Sequence, residues 1–285
     1  MEQVPIDVPQ TGEVVQSEPE GSWRVVGAAV RGAAHERMDL PCQDAQGYRV
    51  LSSGMLLAVV ADGAGTASLS DQGARAAVEE SLNALEAALE GSCPTGAEEW
   101  VGLVRDAFRA AREATLDLAE KSGESAREYA CTLAGVVVSS KGLVAGQIGD
   151  GALVCQDKSG ELFSVTRLQR GEYANETHFL VEEDALEMAE FEYVNRPVSA
   201  LALMSDGLIR LAMKMPSQEP HFPFFQPLFR FAAAEANEDE AVGRLALFLG
   251  SARVSERTDD DRALVLAVRG GASNRCGAST NRGGA

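Results

Sequence analysis

The stretch from Ala130 to Gln156 constrains the fold of this chain more than any other. It reads ACTLAGVVVSSKGLVAGQIGDGALVCQ, three short apolar runs cut by Lys141-Gly142 and by Gly149-Asp150-Gly151. Closely spaced apolar runs around tight glycine turns are strands that pair with their sequence neighbours, so an antiparallel meander is expected here. Further short apolar segments have the same character: WRVVGAAVRG from Trp23, MLLAVVA from Met55, then LFSV, FEYV, ALALMS and a closing ALVLAV at Ala263–Val268.

Helical periodicity appears in separate blocks. Val78, Leu82, Leu85 and Leu89 fall on one face of a helix. A second helix carries Val101, Val104, Phe108 and Ala111, and Thr95-x-x-Glu98 reads as its capping box. Later helices are expected after Ser205, in the Phe-rich segment 222–231 and after Asn237-x-x-Glu240. Strands and helices in separate runs favour an α+β fold, most simply two antiparallel sheets flanked by helices.

Composition narrows the function. The 285 residues carry a formal charge of −18, with no basic run, which argues against nucleic acid and against an anionic membrane as partners. No apolar stretch approaches the roughly 18 residues a membrane span needs, and MEQVPIDVPQ lacks the features of a secretion signal. A cytoplasmic protein is expected. Five scattered cysteines without a C-x-x-C pair, and only three histidines, argue against a disulfide framework and a structural zinc site. Residues 1–21 read as a disordered acidic leader and 270–285 as a flexible Gly-rich tail, leaving 22–269 as one domain.

Four aspartates share a local grammar. Asp62 in LLAVVADGAG, Asp150 in LVAGQIGDG and Asp206 in LALMSDG each follow an apolar strand and precede Gly, while Asp260 in TDDDRALVLAV precedes its strand. One Asp-Gly is an ordinary turn. Several carboxylates sharing a space repel one another unless they hold protons or cations. An all-oxygen set suits Mg²⁺ or Mn²⁺, and a pair of such ions can acidify a bridging water and orient a phosphoester. Bound cations would also let so acidic a protein accept a phosphate.

Taken in order, GAAHERMDLPCQDA, VVADGAGTASLSDQGAR, CTLAGVVVSSKGLVAGQIGDG, GEYANETHFL, LMSDGL and TDDDRALVLAV resemble the type 2C metal-dependent protein phosphatases, in their bacterial branch, from about Trp23 to Val268. The resemblance implies a central β-sandwich with helices on both outer sides. It implies hydrolysis of phosphoserine and phosphothreonine in proteins by a metal-bridging water or hydroxide, with a Ser/Thr kinase system as counterpart. By the same resemblance Asp62 bridges two core metals, with the Gly63 carbonyl assisting. Asp206 and Asp260 complete the other core ion, Asp150 helps hold a third, and Asp44 supports metal-bound water.

The chain departs from the family pattern in places. Gln43 stands where many members have an acid, and Ala64 where eukaryotic members have His. Arg37 is the candidate phosphate-binding arginine and Arg31 the reserve. His35 is read as a structural hydrogen bonder, with a role toward phosphate or the leaving group as the other reading. Cys42 has nothing basic beside it to make it a thiolate. Asp259 and Asp261 are expected to flank and orient Asp260, and Asn175 to stabilise a covering loop. The phenylalanines of 222–231 read as core, and the acids from Glu182 to Glu192 as a solvated face. Two alternatives to the phosphoprotein phosphatase stay open: a weak or inactive phosphatase-like binding module, and an enzyme for small phosphoesters.

Overall fold

In the computed structural model, residues 21–91, 93–166, 177–235 and 237–270 are described. Their elements run β1 (Trp23–Val30), α1 (Ala33–Met38), β2 (Ala45–Val50), β3 (Leu56–Ala61), α2 (Ser70–Gly91), α3 (Ala97–Ser122), β4 (Leu133–Val138), β5 (Leu143–Ile148) and β6 (Ala152–Asp157). They continue with β7 (Leu162–Ser164), α4 (Ala185–Met188), β8 (Glu190–Val194), β9 (Val198–Met204), α5 (Ile209–Ala212), β10 (Met213–Lys214) and β11 (Glu219–Pro220). The last are α6 (Phe222–Ala234), α7 (Glu238–Leu249), α8 (Ala252–Ser255) and β12 (Arg262–Arg269).

Two five-stranded antiparallel sheets form the centre, in the orders β1-β12-β9-β6-β7 and β2-β3-β4-β5-β8. Strands β3, β4 and β5 are buried along their whole length, which is why their sequences are continuous apolar runs without polar alternation. Leu56, Ala58, Val136, Leu153, Leu203 and Val265 fill the space between the sheets. Helices α2 and α3 cover the outer face of one sheet through Val78, Leu82, Leu85, Val104 and Phe108. Helices α6 and α7 cover the other through Phe225, Phe229, Leu245 and Leu249. The expected sandwich with helices on both outer sides is present.

Three local expectations need correction. The run from β4 to β6 is not one meander: β4 and β5 pair as a hairpin, but β6 pairs with β7 and β9 in the opposite sheet. The chain changes sheet at Gly149, whose φ of +97° a side-chain-bearing residue rarely adopts. The capping interaction of α3 is displaced by one residue, because Thr95 donates its N–H to the Glu99 carboxylate (2.8 Å) and Gly96 occupies the cap position. Strand β2 went unread, since AQGYRV is only partly buried and has no apolar run. Asn237 caps α7 as expected, accepting from the Asp239 and Glu240 amides.

Strand register determines where the aspartates go. Met204 at the end of β9 lies opposite both Leu264 near the start of β12 and Ala152 at the start of β6. The residues just beyond these three points are Asp206, Asp260 and Asp150. In the other sheet Ala61 pairs with Ala45, and Leu133 with Ile148. Asp62 and Asp44 therefore leave and join their strands at one end. All five candidates lie along one edge of the sandwich.

Candidate metal centre

Asp62 follows the last residue of β3, and its backbone is tied to β4. Its N–H donates to Thr132 Oγ1 (3.0 Å), and its carbonyl accepts from the Thr132 N–H (2.7 Å). Its carboxyl is held well above the usual range, first by burial and then by the charges of Asp44 and Asp206. The Asp62 and Asp206 carboxyls are close enough to share a proton. Burial, opposed in part by that contact, raises Asp206 to about 6, with Asp150 and Asp260 adding repulsion.

Asp44 is only 6% exposed. Burial is the main cause that lifts it to about 8, against a hydrogen bond from Ser205, and Asp261, Asp206 and Asp260 raise it further. The Ser205 hydroxyl donates to Asp44 Oδ2 (2.6 Å) and accepts from the Ala263 N–H (2.8 Å). One serine thus joins the end of β9, the start of β12 and the start of β2. Asp150 is also raised by burial, and it accepts from the Thr177 hydroxyl (3.1 Å). Asp260 is exposed, and Oδ1 accepts the Asp261 N–H (2.9 Å).

Asp261 does more than flank its neighbour. It is 2% exposed; Oδ1 accepts the Gly32 N–H (2.5 Å), and Oδ2 accepts the Gln43 N–H (2.6 Å) and lies 2.8 Å from His35 Nδ1. Its own carbonyl is so close to Gly207 that a Cβ there would lie 2.0 Å from it, which explains the glycine after Asp206. Sequence reading missed the roles of Asp261 and Ser205 because their partners lie 58 to 229 residues away. Thr132, next to Cys131 in the quoted motif, carried no distinguishing signal.

The other candidates divide. Arg37 is exposed and pairs with Asp259 (3.1 Å), next to Asp260. Arg31 donates to the Leu40 carbonyl (3.0 Å) and so braces its own loop. Gln43 is 3% exposed, with Nε2 donating to the Ala67 carbonyl and Oε1 buried without a partner. Gly63 donates its N–H to the Gln43 carbonyl (3.2 Å). Burial and the Asp261 and Asp44 charges push the Cys42 thiol to about 12, in keeping with an inert residue. Phe225, Phe229 and Phe231 are core, and Glu183, Asp184, Glu187, Glu190 and Glu192 are exposed. Asn175 lies outside the described residues.

Among the described residues, no three acidic, His or Cys side chains already stand in coordinating positions. The donor set nevertheless fits a hard divalent cation. Asp206 Oδ1 is buried with no hydrogen-bond partner, and its neighbours are carboxyls raised first by burial and further by one another's charge. A cation relieves both costs by replacing the protons and supplying the missing partner.

The protein phosphatase 2C profile matches residues 31–249. The chain is 36% identical over 253 residues to serine/threonine-protein phosphatase 3 of Escherichia coli (strain K12), covering 87% of this chain and 98% of that one. Its fold is similar to that of PppA, described as a key regulatory component of T6SS in Pseudomonas aeruginosa (TM-score 0.59, 17% identity, 88% and 99% of the two chains). It is also similar to the catalytic domain of the serine/threonine phosphatase PstP in complex with two manganese ions (TM-score 0.55, 18% identity, 87% and 98%).

Proposed function

The chain belongs to the protein phosphatase 2C family, and from that premise we propose that its carboxylate edge holds Mg²⁺ or Mn²⁺ and hydrolyses phosphoserine and phosphothreonine in proteins. The observation that carries this reading is the buried group Asp44, Asp62 and Asp206, whose carboxyls are all raised and whose Asp206 Oδ1 has no partner. A structural carboxylate is paired or solvated. Among the described residues none of these three carboxyls has an ion pair and Asp44 is met by a single serine hydroxyl, while a phosphoester site needs positive charge where this chain supplies little of its own.

Bound divalent ions would supply an acidified water and positive charge against the phosphoryl oxygens. Asp62, with the Gly63 carbonyl, would hold them at the carboxylate edge of the sandwich, Asp206 and Asp260 would complete one of them, and Asp150 would serve a third. Asp44 acts from behind, fixed by Ser205. Arg37 lies at the open side and would exchange Asp259 for a substrate phosphate, orienting it toward phosphorus attack.

Among the described residues no helix is long and apolar enough to cross a membrane. Action in the cytoplasm, opposite a Ser/Thr kinase, fits that feature and the family. A net charge of −18 disfavours generic attraction to phosphoproteins, so recognition falls to local contacts around the edge. Phosphate release from a phosphothreonine peptide tests the reading. It should require Mn²⁺ or Mg²⁺ and stop in EDTA; full release in EDTA would reject it.

A further inference from the structure

Two helical segments of this chain place an aspartate four residues before an arginine, and they use the pair differently. On α2, Asp71 and Arg75 form the ion pair that this spacing favours. At the carboxylate edge, Asp206 and Arg210 have the same spacing, across a 3-10 turn (Asp206–Leu208) that runs into α5. There the carboxyl turns inward, with Oδ1 buried, and the arginine is exposed. Arg210 is near enough to oppose the rise of the Asp206 carboxyl. Among the described residues it nevertheless has no ion pair and no hydrogen bond.

The base of this side chain is fixed. Leu208, Ile209 and Ala212 are buried, and the Ala212 carbonyl accepts the His221 N–H (2.7 Å), so α5 cannot turn and Arg210 stays on its outer face. Arg37, Arg49, Arg75, Arg196 and Arg244 each have a carboxylate partner in this acidic chain. A cation without one, beside a site for anions, is placed to select what enters. The transferred phosphoryl group already has the divalent ions and Arg37 to meet it. Arg210 starts one helical turn, about 5–6 Å, from Asp206. Successive residues of an extended peptide are about 3.3–3.6 Å apart. That offset matches a residue one or two positions from the phosphorylated one.

We propose that Arg210 determines specificity by binding a second anion of the substrate, a carboxylate or a further phosphate one or two residues from the phosphorylated serine or threonine. This rests on the phosphatase reading above. Once divalent ions take up the charge of Asp206, the guanidinium is left to the substrate. Arg210 touches neither the ions nor the reacting atoms, so its contribution falls mainly on KM.

The test uses phosphothreonine peptides of one sequence whose neighbouring positions carry alanine, aspartate or a non-hydrolysable phosphonate analogue of phosphoserine. Phosphate release with Mn²⁺ gives kcat and KM for each. Wild type should favour an acidic neighbour over alanine by about 5-fold in kcat/KM, chiefly through KM. The ratio should shrink at high salt. Which of the two acidic peptides gains more identifies the anion. Arg210→Ala should bring the ratio close to one, Arg210→Glu should take it below one, and Arg210→Lys should keep part of it. A wild-type ratio of one would overturn the proposal, whether or not the variants fold, and would leave the phosphatase reading intact. An equal loss on every peptide in Arg210→Ala, with the ratio kept, would also overturn it. No hydrolysis of any peptide by folded wild type with Mn²⁺ would overturn both.

Discussion

Strand β6 connects two aspartate corners of opposite character. At its end Asp157 Oδ1 accepts from the Ser159 hydroxyl (2.6 Å) and from the Ser159 and Glu161 amides (2.8 and 3.0 Å). Arg196 reaches Asp157 Oδ2 (2.5 Å) and Glu161 (2.9 Å), and its guanidinium lies over the Phe163 ring. Ser159 first, then Arg196, hold the Asp157 carboxyl far below the usual range. Just before the start of β6, Asp150 joins Asp62, Asp206 and Asp44, whose carboxyls are all pushed upward, chiefly by burial. Both corners arise from an aspartate where a strand meets a turn. Where the carboxylate is satisfied, it serves the fold; where it is crowded with its own kind, it weakens the apo protein and is suited to a cation.

The contrast can be broken most severely at Asp62. Asp62→Asn or Asp206→Asn should lower kcat by about 10²–10³-fold or more. In EDTA the same variants should melt at a higher temperature than wild type, because a buried repelling carboxyl is gone. A lower melting temperature together with retained turnover would erase the distinction between the corners.

The next largest effect is on pH dependence. Folded pKa values of about 8 for Asp44 and about 6 for Asp206 exceed the unfolded value of about 3.9. The folded state therefore binds more protons than the unfolded one. In EDTA this contribution to stability is full below about pH 4 and is lost as pH rises toward 8. A saturating divalent ion should flatten that slope and add about 2.7 kcal/mol at 100 times its Kd, which melting curves at several pH values would show. Gln43→Glu sharpens the comparison on a smaller scale. A carboxylate at this buried position should tighten Mn²⁺ binding by calorimetry and lower the melting temperature in EDTA. Smallest of all, Asp157→Asn should lower the melting temperature slightly and leave kcat and Mn²⁺ affinity where they are.

Much of the fold was legible because its strands are buried on both faces and therefore stand out as apolar runs. Half-buried β2 has no such signature, and the change of sheet at Gly149 depends on pairing between β6 and β9, some fifty residues apart. The candidate acids were legible as residues, since Asp beside Gly at a strand end is a local pattern. Their convergence was not, because it follows from the registers Met204↔Leu264, Met204↔Ala152 and Ala61↔Ala45. Asp261 shows the limit most clearly. In sequence it is one of three adjacent aspartates, and only long-range contacts distinguish the buried anchor from exposed Asp259 and Asp260.

The central claim is that these carboxyls keep protons in the absence of cations and yield them when a cation binds. Titrating Mn²⁺ into metal-free protein near pH 7, in two buffers of different ionisation enthalpy, counts those protons directly. Binding with proton release, diminished in Asp62→Asn, is the expected result. Binding without any proton release, or no binding by folded protein, would contradict the account.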